Sequence, residues 1–326
     1  MPPRLCPNTV PTTPVVSTLA IETGAICPHP WPRLVCPLCG PAAEPNLTGR
    51  MAHSADAATV AVLVQQALRL HPQSVVLRGG ETLLREEALQ ILAMVRAGSV
   101  VQLAVWTAGP LLARPGLADA VRSAGATDVA VVLFGETAAG HDYVAQTPGH
   151  FQRTLAGVQL ARRAGLRVQA VVPVLRPSFR GLSALVQKAV PAGIGALRFW
   201  VPPGPDRPDH PLLAPLPRVA PYLQAALHLA RTANLVVQVD GVPACQLGLH
   251  ASLADAAHAA IAASSPADDP PEFGSPCGAC TWGSRCVGVP ASRVKAQGWV
   301  GVAARSDPPA SANLPALVPA GAVKSD

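Results

Sequence analysis

The chain has 326 residues, of which 49% are apolar and 13% charged, a globular composition long enough for one large α/β domain. Its net charge of +6 comes from scattered basic residues, mostly Arg, with only 4% aromatics, so nucleic-acid binding is not expected. No apolar segment reaches the roughly 18 residues of a membrane span, and the Pro-rich N-terminus lacks the apolar region of a signal peptide, so we expect no membrane partner and a cytoplasmic location.

The predicted elements alternate along the chain between apolar strands and amphipathic helices. The strands are predicted at Val15–Ile21, Ser74–Arg78, Val101–Trp106, Asp128–Phe134, Val168–Leu175, Ala196–Val201 and Leu235–Val239. The helices are predicted at Asp56–Leu70, Leu83–Arg96, Gly116–Ala124, His150–Ala164, Phe179–Ala189 and Pro217–Ala233. This alternation predicts parallel strands with right-handed crossovers. Residues 1–14 and about 303–326 are rich in Pro, Ala and Ser and are predicted to be disordered.

Several chemically distinctive residues follow the predicted strands. Cysteines follow the first strand, Gly79-Gly80-Glu81 the second, Thr107 the third and Arg176 the fifth. Parallel strands bring such loops to one edge, in a barrel as well as in an open doubly wound sheet, so periodicity alone does not separate the two folds.

Eight cysteines in a chain of this kind indicate metal or redox chemistry more than disulfides. Cys36 and Cys39 have the two-residue gap that lets both sulfurs face one metal centre, and Cys27 lies eight residues before them. Thiolate ligands suit zinc or an iron–sulfur cluster. A zinc knuckle, with His29 or Cys6 as the fourth ligand, therefore stays open beside a cluster held by three cysteines.

The stretch VVLRGGETLLR (75–85), placed one strand–helix unit after these cysteines, resembles the start of a radical S-adenosylmethionine (SAM) enzyme. The segments VWTAGPLL (105–112) and 131–179, with its His-Asp loop and its Pro-Gly-x-Phe helix start, are also similar to that family. The family spacing is CxxxCxxC, whereas this chain has Cys-x8-Cys-x2-Cys.

The resemblance implies a partial (βα)6 TIM-like barrel over residues 15–240. It also implies a [4Fe-4S] cluster on Cys27, Cys36 and Cys39, with SAM on its open iron. The residues that it places beside SAM are Leu38 near the adenine, Gly79 and Gly80 at the methionine end, Glu81 accepting from the ammonium, Thr107, and Arg176 pairing with the carboxylate.

A second cysteine group lies near the C-terminus, in PCGACTWGSRCVGV (276–289). Its spacing, Cys277-x2-Cys280-x5-Cys286, is similar to part of the SPASM/twitch extensions that carry auxiliary iron–sulfur clusters in radical SAM enzymes. Cys245 would be the fourth ligand and would close a four-thiolate site. We therefore expect residues 241–302 to form a small Cys-rich extension with one auxiliary cluster, and a four-Cys structural zinc site is the alternative.

The function that the resemblance implies is reductive cleavage of SAM to a 5′-deoxyadenosyl radical, which abstracts hydrogen from a substrate. An electron donor such as ferredoxin or flavodoxin would be needed, and the auxiliary group points by analogy to a peptide substrate. Two alternatives stay open. One is a degenerate iron–sulfur relative, favoured by the altered spacing. The other is a zinc-stabilised α/β protein such as a hydrolase, for which no GxSxG or HExxH pattern is present.

Overall fold

The computed structural model describes residues 18–23, 57–202, 211–254, 270–283 and 286–307. Its strands are β1 Thr18–Glu22, β2 Ser74–Arg78, β3 Gln102–Thr107, β4 Asp128–Val132, β5 Arg167–Pro173, β6 Ala196–Trp200, β7 Val236–Asp240, β8 Pro271–Glu272 and β9 Val289–Pro290. Its helices are α1 Ala57–Leu68, α2 Ala88–Ala97, α3 Leu117–Ser123, α4 Ala138–Ala145, α5 His150–Arg163, α6 Leu182–Ala192, α7 Leu216–Thr232 and α8 Ala291–Gln297.

The first seven strands form one parallel sheet in the order β1 to β7, so neighbours in the chain are neighbours in the sheet. Helices cover each crossover, and the sheet curls into a half-barrel, which confirms the predicted TIM-like fold. Beyond six strand–helix units there is a seventh strand, β7, which pairs with β6 through contacts such as Phe199 with Val239. The carboxyl ends of all seven strands therefore meet at one edge.

Alternate residues of the strands supply two cores, as expected for strands buried on both faces. The larger core lies between the sheet and the helices and contains residues such as Leu77, Val105 and Phe199. The other face of the sheet, the inner face, carries a second apolar cluster with Trp106 and Val132. The sequence patterns that predicted the strands thus come from two apolar faces rather than one.

One predicted loop is a helix, α4, which contains the His141-Asp142 pair. Thr137 caps it, because its Oγ1 accepts a hydrogen bond from the Gly140 N–H at 3.2 Å. Gly140 and the polar residues of this short stretch gave no clear helical period, so the sequence indicated a loop. The predicted helix Leu83–Arg96 also begins later, at Ala88, after a 3-10 turn over Thr82–Leu84.

The C-terminal part is built from 3-10 turns, α8, and the antiparallel pair formed by β8 and β9. It includes residues 303–307, which the sequence analysis assigned to the tail. Along the described chain, none of the helices combines the length and the apolar character that crossing a bilayer requires.

Candidate active site and metal centre

The loop after β2 forms the centre of the candidate active site. Gly79 and Gly80 have φ angles of +102° and +77°, a region that favours glycine, and both residues are buried. Beside them, Thr23 follows β1 and donates its N–H to the Arg78 carbonyl at 2.6 Å. The ends of β1 and β2 are thereby tied together where the two glycines turn the chain. The predicted ligands that follow β1, namely Cys27, Cys36, Leu38 and Cys39, lie outside the described residues.

Glu81 is 1% exposed and acts as a clamp between two loops. Its Oε2 accepts hydrogen bonds from Thr107 Oγ1 at 2.9 Å and from the Ala108 N–H at 2.7 Å. Its Oε1 accepts from the Leu83 N–H at 3.3 Å and so caps the 3-10 turn. Three of the roughly four acceptor positions of this carboxylate are therefore taken by protein groups.

Thr107 belongs to the same arrangement and is fully buried. Its hydroxyl donates to Glu81 and accepts from the Gly109 N–H at 3.0 Å. Gly109 has a φ of +101°, and a Cβ there would lie 2.7 Å from Thr154 Cγ2, so this turn also requires glycine. The structure thus brings Glu81 and Thr107 together as partners of each other.

Arg176 follows β5 and is half-buried. Its Nε donates to the Leu213 carbonyl at 2.8 Å, and its backbone N–H donates to the Leu212 carbonyl at 2.8 Å. Among the described residues, the two terminal nitrogens have no hydrogen-bond partner. The guanidinium is thereby oriented through one nitrogen, while its two terminal groups can still donate to an anion.

Two buried histidines link α4 to the start of α5, and sequence reasoning did not find this pair. His141 Nε2 and His150 Nδ1 are 2.9 Å apart, and His141 Nδ1 accepts from the Phe134 N–H at 3.3 Å. Because one neutral nitrogen accepts, the other carries the proton, so His141 donates to His150. Asp142 caps the start of α5, because its carboxylate accepts hydrogen bonds from the N–H groups of Gly149 and Phe151 at 2.6 and 2.8 Å. These contacts indicate a structural role for Asp142.

The inner face of the sheet also carries charged residues that the sequence analysis did not single out. The Trp106 ring lies between two buried arginines, with its centroid 5.9 Å from Arg78 Cζ and 5.4 Å from Arg198 Cζ. Arg198 also binds Asp240 through two hydrogen bonds of 2.5 and 3.1 Å. A charged residue at an inward strand position, in a run that is otherwise apolar, is the signal that would have found them.

The four C-terminal cysteines of the described chain, Cys245, Cys277, Cys280 and Cys286, line one cavity of about 370 Å³, part of which is open to solvent. All four are free thiols. The structure therefore brings Cys245, the predicted fourth ligand, together with the three cysteines that the sequence spacing grouped.

Backbone N–H groups point at three of these sulfurs. Gly288 donates to Cys286 Sγ at 3.5 Å, Arg305 donates to Cys280 Sγ at 3.4 Å, and Ala303 donates to Cys245. Burial raises the pKa of the Cys245 thiol above its usual value, while the Ala303 N–H opposes the rise. N–H donors favour the charged thiolate, which is the form that binds metals.

The arrangement and chemistry of the four cysteine sulfurs bear on which metal centre the site could hold. Among the described residues, no three His, Cys, Asp or Glu side chains are arranged to hold a single metal ion. Four cysteines nevertheless surround one cavity, and their soft sulfurs suit iron–sulfur clusters as well as zinc. The donor set thus fits an iron–sulfur cluster or a zinc ion.

Comparison with known proteins completes the description of the site. No protein-family model matches the chain. The chain is 30% identical, over 131 residues, to the AdoMet-dependent heme synthase of Methanosarcina barkeri (strain Fusaro / DSM 804). This similarity to a SAM-dependent enzyme agrees with the resemblance described in the sequence analysis. The match covers 40% of this chain and 37% of the heme synthase.

Solved structures share the fold of this chain. SuiB of Streptococcus suis, bound to its precursor peptide SuiA, matches with a TM-score of 0.54 at 11% identity, over 69% of this chain and 48% of SuiB. The protein anSMEcpe with bound AdoMet matches with a TM-score of 0.51 at 14% identity, over 69% of this chain and 63% of that one. The chain therefore covers less than two thirds of each of these three proteins.

Proposed function

We propose that the chain is a radical SAM enzyme that cleaves SAM reductively and oxidises or rearranges a bound substrate. The observation that carries the proposal is the buried Gly79-Gly80-Glu81 turn at the carboxyl edge of a parallel half-barrel, beside the end of β1 from which the Cys27–Cys39 segment continues. When bound, a reduced [4Fe-4S] cluster and SAM would supply a 5′-deoxyadenosyl radical that takes hydrogen from the substrate.

The protein groups then bind and orient SAM. Cys27, Cys36 and Cys39 would hold the cluster, and Leu38 would contact the adenine. The peptide groups of the Gly79–Gly80 turn would approach the methionine end closely, because no side chain stands in the way. The terminal nitrogens of Arg176 would bind the carboxylate of SAM as a bidentate donor.

Glu81 and Thr107 have a positioning part in this proposal. Their mutual hydrogen bond fixes the loops after β2 and β3 relative to each other. Since Glu81 already accepts three bonds from the protein, it would keep the glycine turn in shape rather than serve as the main acceptor for the ammonium group. A rigid loop reduces the entropy that SAM binding must overcome.

The apolar cluster on the inner face would protect a radical from water. Val132, Phe134 and Leu175 line it, and Leu212 and Leu213 from the segment before α7 pack against the same cluster. Exclusion of water prevents side reactions of a reactive intermediate. These side chains would therefore form an apolar surface that excludes water beside the proposed SAM position.

Cys245, Cys277, Cys280 and Cys286 would hold an auxiliary iron–sulfur cluster rather than zinc. A zinc ion bonds each sulfur at about 2.3 Å, which requires the sulfurs to crowd around one point. The spacing Cys277-x2-Cys280-x5-Cys286, which is similar to part of the SPASM/twitch extensions, and the cavity that the four cysteines share support the cluster. With four cysteine ligands, each iron of the cluster would be bound by the protein. Such a cluster would be suited to electron transfer.

A peptide is the proposed substrate class, and a small redox protein such as ferredoxin or flavodoxin is the proposed electron donor. SuiB has been crystallised with the precursor peptide SuiA and anSMEcpe with a peptide, Kp18Cys. The likeness of the half-barrels supports this substrate class by analogy.

The test is formation of 5′-deoxyadenosine by the full chain, reconstituted with iron and sulfide without oxygen and mixed with SAM and dithionite. We expect product from the wild type and from Cys6→Ala, whose cysteine belongs to neither group. Cys36→Ala and Cys39→Ala should form none. Absence of product from an iron-loaded wild type would instead indicate a relative that has lost SAM cleavage.

A further inference from the structure

The segment 302–307, called the C-terminal strap from here on, lies across the four-cysteine cavity. Val302 and Ala303 line that cavity. The Ala303 N–H bonds to the Cys245 thiol, and the Arg305 N–H donates to Cys280 Sγ at 3.4 Å. The strap thus contacts cysteines from both parts of the site, although it supplies no ligand itself.

Arg305 anchors the strap to both cysteine-bearing segments. Its Nη1 donates to the Gly248 carbonyl at 3.0 Å, which fixes it to the turns that follow Cys245. Its Cζ lies 5.7 Å from the centre of the Trp282 ring, two residues after Cys280. Its Nη2 forms an ion pair with Asp307, whose pKa is lowered chiefly by this hydrogen bond.

Further bonds run from the segment after Cys280 to the strap. The Thr281 N–H donates to the Arg305 carbonyl at 2.9 Å. The Thr281 hydroxyl lies within hydrogen-bond distance of the Arg305 and Asp307 carbonyls, at 3.0 and 2.6 Å. Trp282 Nε1 donates to the Asp307 carbonyl at 2.9 Å. The strap is therefore held in place by groups adjacent to the ligands rather than by the ligands.

We infer that the C-terminal strap closes the four-cysteine site and that Arg305 is the positioning residue that holds it there. This inference rests on the metal centre proposed for the four cysteines. A four-thiolate centre carries net negative charge, which N–H donors and a nearby guanidinium stabilise. The strap excludes water and competing ligands from Cys245 and Cys280, so it slows metal exchange.

The experiment uses the full chain with Cys27, Cys36 and Cys39 changed to Ala, so that metal signals come from the C-terminal site alone. In this background, Arg305→Gln and Thr281→Val are compared with Arg163→Gln, an exposed arginine at the end of α5. The rate of metal loss to a chelator is measured with the metal that the protein carries, iron or zinc. We expect loss to be roughly tenfold faster or more in the two strap variants, since each substitution removes hydrogen bonds that hold the strap in place.

A measurement on each cysteine separately distinguishes loss of the strap from a general loosening of the C-terminal fold. In the metal-free proteins, alkylation of each cysteine by a maleimide is followed by mass spectrometry. Arg305→Gln should speed alkylation of Cys245 and Cys280 but not of Cys286, whose N–H donor is Gly288 outside the strap. Equal acceleration at all the cysteines, or metal loss no faster than in Arg163→Gln, would overturn the inference, as would a site that binds no metal.

These results are independent of SAM chemistry, because the background lacks the proposed SAM cluster. A strap effect without deoxyadenosine formation by the wild type would contradict the proposed activity alone. Deoxyadenosine formation without a strap effect would contradict this inference alone.

Discussion

At the scale of single residues, Glu81 shows how one buried charge holds the edge of the sheet. Its carboxylate accepts three hydrogen bonds from two loops. These bonds fix the side chain in one conformation and link the two loops. Removing the charge leaves donors such as the Ala108 N–H without an equivalent acceptor. Leaving a buried donor unsatisfied costs about 1–3 kcal/mol.

We therefore expect Glu81→Gln to lower the free energy of unfolding by about 1–3 kcal/mol, because the new amide group faces N–H and O–H donors. Urea unfolding followed by circular dichroism measures this change. Glu86→Gln, at an exposed position, is the matched control and should leave the value unchanged. A Glu81→Gln protein as stable as the control would show that the clamp contributes little.

His250 gives the chain a stability that depends on pH. Burial, followed by the neighbouring Arg231 and His228, lowers the pKa of His250. Its Nδ1 lies 3.4 Å from Arg231 Nη1, and since arginine only donates, the imidazole must be neutral to accept. The unfolded chain therefore binds a proton more readily than the folded chain, so stability is lost as the pH falls below about 6.5.

We expect the free energy of unfolding to fall between pH 7.5 and pH 5.5 by more in the wild type than in His250→Gln. The other histidines are present in both proteins, so the difference in slope reports His250 together with its effect on the neighbouring His228. Urea unfolding at the two pH values provides the measurement. Parallel pH profiles would contradict the assignment.

At the scale of elements, α5 is placed by a close backbone contact. A Cβ at Gly157 would lie 2.4 Å from the Gly109 carbonyl oxygen and 3.0 Å from Leu112 Cβ. The helix can therefore approach the turn after β3 only because residue 157 has no side chain. Asp142 adds to this placement by capping the start of the same helix.

Gly157→Ala should destabilise the protein by about 1–3 kcal/mol, since overpacking outweighs the roughly 1 kcal/mol that alanine gains in a helix. Gly195→Ala is the control, because a Cβ there has no atom within 4 Å and the residue is not helical. The free energies of unfolding of the two variants are compared in urea. A Gly157→Ala protein more stable than the wild type would show that α5 moves at no cost.

At the scale of the whole molecule, the order of elements could be predicted from the sequence because each strand is buried on two faces. Ser74–Arg78 was predicted with its observed bounds, and the other strands differ by a few residues at their ends. The predicted grouping of Cys245 with Cys277, Cys280 and Cys286 agrees with the cavity that they line. Spacing along the chain grouped Cys277, Cys280 and Cys286, whereas Cys245 was added because a four-thiolate site needs a fourth ligand.

Other features depend on contacts that a linear pattern does not reveal. The helix α4 begins at a Thr137 cap, and its Gly140 interrupts the apolar period that would have indicated a helix. The C-terminal strap has no apolar repeat, and its order comes from hydrogen bonds to Thr281 and Trp282. The clamp by Glu81 requires that two loops meet in space, which only the parallel pairing of β2 with β3 brings about. Whether Cys27, Cys36 and Cys39 hold a cluster stays a prediction.

The central claim is that two cysteine groups each hold an iron–sulfur cluster. Iron and acid-labile sulfide are counted in oxygen-free wild-type protein, in the Cys27, Cys36 and Cys39 triple alanine variant, and in the matching variant of Cys277, Cys280 and Cys286. We predict about eight irons per wild-type chain and about four in each variant, since a cubane cluster holds four. An unchanged iron content after loss of Cys27, Cys36 and Cys39, or zinc in place of iron, would contradict the account.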